Sequence, residues 1–178
     1  MIILKEYSIN ILHITDETFP KRLAQTESTP RFIFYKGDLN NYIKSLSIVG
    51  TRDFDKSGEV ITRYFAKSCV ENGFAVVSGN AKGIDQTAQD EVLSNKGKLV
   101  IIPGAGLGYF FKYSITKEYK EKSKNILYVS EFPLSFQGNK QSFPIRNRII
   151  SALSLGTILT QAPIGSGALY TANYTLEQ

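Results

Sequence analysis

Five short runs rich in isoleucine and valine constrain the fold of this chain more than any other feature: "SLSIVGT", "FAVVSG", "KLVIIPG", "ILYVSEF" and "GTILTQA", between residues 45 and 162. Each has strand length, and apolar residues follow one another as they do in strands buried on both faces. Helical stretches separate them. In "GEVITRYFAKSCVENG", Val60, Ile61, Tyr64, Phe65 and Cys69 recur at helical spacing and form the expected apolar face, with Asn72-Gly73 as the stop. "IDQTAQDEVLSNKG" is shorter and ends at Lys96-Gly97. Strands and helices alternating at these lengths predict an α/β fold, a mostly parallel sheet with helices on both faces. The 178 residues fit one domain. Residues 1–40 read as a lead segment packing on the core, and 41–178 as the domain proper. In the lead, "TDETFPKRLAQ" predicts a short capped helix or turn, and "RFIFYKGDL" an extended segment ended by Gly37-Asp38.

In such a sheet, ligands bind beyond the carboxyl ends of the strands, where loops run into helix N-termini. That rule selects "GTRDFDKSG", "SGNAKGID", "PGAGLG", "SEFPLSFQGNKQSFPIRNR" and "APIGSGA", which hold nearly every Gly-rich or cationic motif in the chain. In "SGNAKGID", Gly79 and Gly83 allow tight turns and close approach of a ligand, and Lys82 adds a charge. The structural alternative is a plain strand-to-helix connection with Asp85 helping the helix start. Gly50, Thr51 and Arg52 follow the first strand. Arg52 suits a phosphate grip, against a surface pair with Asp53 or Asp55. Gly165, Ser166 and Gly167 form a third anion-ready turn. "PGAGLG" has Tyr109 where a dinucleotide fingerprint needs its third glycine, so no nicotinamide cofactor is expected, and no other cofactor is.

The last loop, read as running from Phe132 to Arg148, carries Lys140, Phe143, Arg146 and Arg148 near one strand end. Basic side chains tracking a backbone, with an aromatic ring for a base, hold single strands without reading sequence. The alternative is that Phe143 and Pro144 plug the core while the arginines pair with Glu131 or Glu177. An excess of 21 Lys and Arg over 16 Asp and Glu agrees with an acidic partner without requiring one. One cysteine permits no internal disulfide and suggests a reducing compartment, and with one histidine it leaves little for a structural zinc site. Cys69 reads as packing, and His13 has no chemical constellation around it. No apolar run has membrane-spanning length, and the N-terminus lacks a secretory pattern, so a cytoplasmic protein with no membrane contact is expected.

Taken in order, "IVGTR", "SGNAKGID", "SEFP", "FPIRNRIISALS" and "GSGALYTANYTLEQ" resemble the DNA-processing protein A family (DprA, also called Smf), over roughly Thr18 to Gln178. The resemblance implies a Rossmann-like fold that binds single-stranded DNA, forms a homodimer and helps load the RecA recombinase during natural transformation. By motif it places DNA contacts at Thr51 and Arg52, the turn from Gly79 to Gly83, and "FPIRNR", including Asn147, with Gly167 at the same rim. The chain departs from the family pattern in places. Lys82 replaces the usual Arg, Gln89 the usual His, and the Tyr-Pro after the glycine turn is absent. The chain also stops at Gln178, before the family's last strand, which implies an exposed sheet edge and puts dimer geometry in question.

Two other readings compete. The same superfamily includes phosphoribohydrolases acting on nucleoside monophosphates, for which Asp85 and Glu131 are the best-placed acids, although neither has an obvious partner base. A small-nucleotide sensor would use the same turns without chemistry.

Overall fold

The computed structural model describes residues 2–115, 119 and 123–177. All five Ile/Val runs form strands: β3 (Ser45–Val49), β4 (Ala75–Ser78), β5 (Leu99–Ile101), β6 (Ile126–Ser130) and β7 (Thr157–Leu159). The lead adds two more, β1 (Asn10–His13) and β2 (Phe32–Lys36). They belong to one sheet in the order β1-β2-β6-β5-β4-β3-β7. From β6 to β7 every pairing is parallel, while β1 and β2 run antiparallel, with Phe34 opposite Ser130 joining them to β6. The lead therefore extends the sheet itself.

Alternation along the central strands divides the core. Val76, Leu99, Ile101, Ile126 and Tyr128 point to one face, beneath α3 (Lys56–Glu71), α4 (Ile84–Ser94) and α5 (Leu107–Tyr113). Val77, Val100, Leu127 and Val129 point to the other. There they meet α2 (Lys21–Ala24), α6 (Ser142–Ala152) and α7 (Gly167–Glu177) through Leu23, Ile149, Ile150, Leu153 and Ala168. A short N-terminal helix, α1 (Ile2–Glu6), packs Leu4 on the first face. Among the described residues no helix is long and apolar enough to cross a membrane.

Two local expectations are corrected. The face of α3 is inverted: Val60, Ile61, Tyr64 and Phe65 are exposed, and the buried side is Gly58, Thr62, Ala66 and Cys69. Small residues let the helix axis approach the sheet and α4 closely, which large side chains would prevent. Cys69 does pack inside, as expected. The supposed loop reaching to Arg148 ends earlier, because α6 begins at Ser142 and takes in all of "FPIRNR". Pro144 is tolerated since a first-turn residue lacks an intrahelical acceptor for its N–H.

Candidate functional site

Parallel strands bring the loops after β3, β4, β5, β6 and β7 to one rim, and the contacts between these loops are made by glycines. A Cβ at Gly50 would lie 2.6 Å from Ile84 Cγ1 and 2.8 Å from the Gln161 carbonyl oxygen. Gly83 has φ +93°, and a Cβ there would meet Thr51 O and Arg52 Cα. The Ile84 N–H donates to Thr51 O at 3.1 Å, and the Thr51 N–H to Gln161 O at 2.8 Å. The turns after β3, β4 and β7 are thus one packed unit. Gln161, which the sequence reading did not single out, ties it together, its side-chain oxygen also accepting the Asp55 N–H at 3.1 Å.

At the top of this unit Arg52 is exposed, with its guanidinium carbon 5.6 Å from the centre of the Phe143 ring. Among the described residues it makes no ion pair with Asp53 or Asp55, and Asp55 instead caps α3 through the Gly58 N–H at 2.8 Å. Phe143 is 38% exposed, so the ring neither plugs the core nor stands free. Its edge rests on Gly104, where a Cβ would fall 2.6 Å from Cδ1. Lys82 and Lys140 are exposed on the neighbouring loops. Ser166 and Gly167 open α7 in a turn whose Gly165 and Gly167 face open space. Asn147, mostly buried, donates to Gly167 O at 3.3 Å.

The other two arginines do not sit on this surface. Arg146 is buried, and its Nη1 donates to Ile102 O at 2.6 Å. A Cβ at Gly79 would overlap that guanidinium, so the missing side chain there makes room for Arg146. Burial pulls the Arg146 pKa down to about 10, still charged at neutral pH, with Asp85 acting in the opposite direction. Asp85 accepts the Gly79 N–H at 2.9 Å and the Ala81 N–H at 3.4 Å. Burial raises its pKa, and the Arg146 charge offsets part of that. Two turn N–H groups that an anion would use therefore bind the protein's own carboxylate. Arg148 pairs with Glu131, both largely buried, the alternative that the sequence left open. The side chain of Glu177 lies outside the described residues. Asp85 and Glu131, the acids considered for hydrolysis, are both engaged within the fold.

The arrangement is a cationic rim with the Phe143 ring beneath Arg52, and the loop after β6 adds an aromatic pair, Phe132 and Phe136, with ring centres 5.0 Å apart. Among the described residues, no cluster of three or more His, Cys, Asp or Glu side chains could hold a metal ion.

The DNA recombination-mediator protein A family matches residues 10–178. The chain belongs to that family. Protein Smf of Synechocystis sp. is 34% identical over 167 residues, covering 91% of this chain and 42% of the relative. DNA processing protein DprA of Bacillus subtilis is 32% identical over 176 residues, covering 98% of this chain and 59% of that one. The chain thus spans about half the length of these curated relatives. Among solved structures, DprA from Streptococcus pneumoniae superposes with TM-score 0.86 at 32% identity, covering 97% of this chain and 62% of that chain. DprA from Helicobacter pylori, described for its single-stranded DNA binding mode, gives 0.83 at 27% identity, covering 96% and 77%. Gln89 is buried on α4, and the Tyr119 hydroxyl lies 3.1 Å from its side-chain oxygen and 2.9 Å from Asp90 Oδ1.

Proposed function

We propose that this DNA recombination-mediator protein A chain binds single-stranded DNA along the rim at the carboxyl ends of its parallel strands. The observation that carries the reading is the exposed Arg52 guanidinium over the face of Phe143. A planar cation and an aromatic ring give one base something to stack on and its phosphate something to pair with. Lys82 and Lys140 add exposed charge on the neighbouring loops, while Gly50, Thr51, Gly83, Ser166 and Gly167 shape the backbone of the turns. Non-catalytic binding is better supported than nucleotide hydrolysis, since Asp85 already accepts turn N–H groups and Glu131 is paired with Arg148. In the cell the protein acts in the cytoplasm as a homodimer that helps deliver incoming single strands to RecA, supporting natural transformation.

The test is fluorescence anisotropy with a labelled oligo-dT of about 20 to 40 nucleotides, longer than the roughly 4–16 that one module covers. Wild type is expected to bind with affinity that falls steeply with salt, because phosphate contacts release counterions. Arg52→Ala/Lys140→Ala is expected to lose most of it. Absent or salt-independent binding by folded wild type would defeat the reading, and release of free base from nucleoside monophosphates would favour the hydrolase.

A further inference from the structure

The buried arginine of "FPIRNR" needs a role that an exposed phosphate ligand does not supply. Two side chains of the first part of α6, four residues apart and so on one side of the helix, reach into the end of β5. The Ser142 hydroxyl donates to Gly104 O at 2.7 Å, and Arg146 Nη1 donates to Ile102 O at 2.6 Å. Ser142 is itself fixed, its N–H donating to Asn139 Oδ1 at 2.9 Å. Phe143 lies between these two anchors, and Gly104, the residue accepting from Ser142, is the one its ring rests on. The other side of the Arg146 guanidinium lies against Gly79, whose N–H is held by Asp85.

We infer that Arg146 is a positioning residue for DNA binding. It sets the start of α6 on the strand-5 terminus and against the β4–α4 turn, so that Phe143 stands under Arg52, and it touches no phosphate itself. The inference rests on the proposed binding rim and deepens it. Its chemistry explains the choice of residue. A guanidinium is a rigid planar fork that can donate to the Ile102 carbonyl while filling the space that Gly79 leaves free, whereas an ammonium is a single compact point of charge on a flexible stem.

The test compares Arg146→Met, Arg146→Lys and Gly79→Ala with wild type and Arg52→Ala, as full chains, by anisotropy across a salt series. The oligo-dT carries a single 2-aminopurine whose emission reports stacking. Gly79→Ala is the second route, because its backbone φ is not in the left-handed region and the atoms nearest the added methyl are those of the guanidinium. Positioning predicts folded variants whose affinity falls roughly tenfold, the scale of a lost hydrogen bond to a charged group. Their slope of log affinity against log salt stays at the wild-type value, and 2-aminopurine quenching is reduced. Arg146→Lys is expected to recover the fold more fully than the affinity. A slope shallower by about 0.7, as one lost phosphate contact on a single strand gives, would make Arg146 a direct ligand and overturn the inference. So would unchanged affinity and quenching with only a lower melting temperature. If Arg146→Met does not fold, Gly79→Ala decides by the same criteria. Wild type that binds no DNA would defeat the proposed function and this inference together, whereas DNA-binding wild type with unaffected variants would defeat this one alone.

Discussion

Two neighbouring side chains at the rim do separable work. Arg52 contributes charge, so Arg52→Ala should flatten the salt dependence of oligo-dT binding by roughly 0.7 in slope as well as weaken it. Phe143 contributes a ring, so Phe143→Ala should cost about 1–3 kcal/mol per stacked base and leave the slope unchanged. A titration series for the two variants would separate these effects. Gly83 is constrained in a different way. Its φ of +93° and the Thr51 carbonyl oxygen, 2.5 Å from where a Cβ would stand, leave no room for a methyl. Gly83→Ala should therefore lose at least about 1–3 kcal/mol in urea unfolding, the usual cost of a held strained residue. These positions could be found in the sequence, because Gly and Arg in strand-end loops carry their own signal. The burial of Arg146 could not. Whether an arginine faces solvent or a glycine-lined slot depends on Gly79, sixty-seven residues away in the chain.

At the scale of the element, α3 shows where reading by hydrophobicity fails. Periodicity found the helix, but the strongest apolar residues turned out to lie on its outer side. Close packing against strands and α4 selects small volume, so Gly58, Thr62, Ala66 and Cys69 carry the contact. Ala66→Leu should thus destabilise by about 1–3 kcal/mol through overpacking, while Tyr64→Ser should stay within about 0.5 kcal/mol. Denaturant melts of both variants would show the contrast. Burial also pushes the Cys69 thiol pKa up, which disfavours the reactive thiolate. A disulfide reagent should react with Cys69 slowly in the native protein and rapidly once urea unfolds it. The helix α6 was not legible, because Ser142 to Arg148 has the composition of a loop and the contacts that hold it, at Ile102 and Gly104, come from a distant part of the chain.

Across the whole molecule, the parallel strands could be read directly because continuous Ile/Val runs report burial on two faces. In the lead the extended run of β2 was legible, but β1 and the place of both strands in the sheet were not, since the pairing of β2 with β6 joins residues nearly a hundred positions apart. Because of that pairing, the lead is expected to unfold together with the rest of the sheet. Ile33, fully buried in the second core layer, should when changed to Ala lower the single melting transition of the entire chain by about 2–5 kcal/mol, with no separate early phase. Two transitions in calorimetry would instead mark the lead as its own unit. The same topology bears on how the chain comes off the ribosome. β1 and β2 emerge before the other strands of this sheet, and as a lone two-stranded pair they are marginal in water. Their partner β6 is made only after β3, β4 and β5, so these two strands, with Ile11 and Phe32 on their surfaces, must wait through the synthesis of three others for the neighbour that secures them.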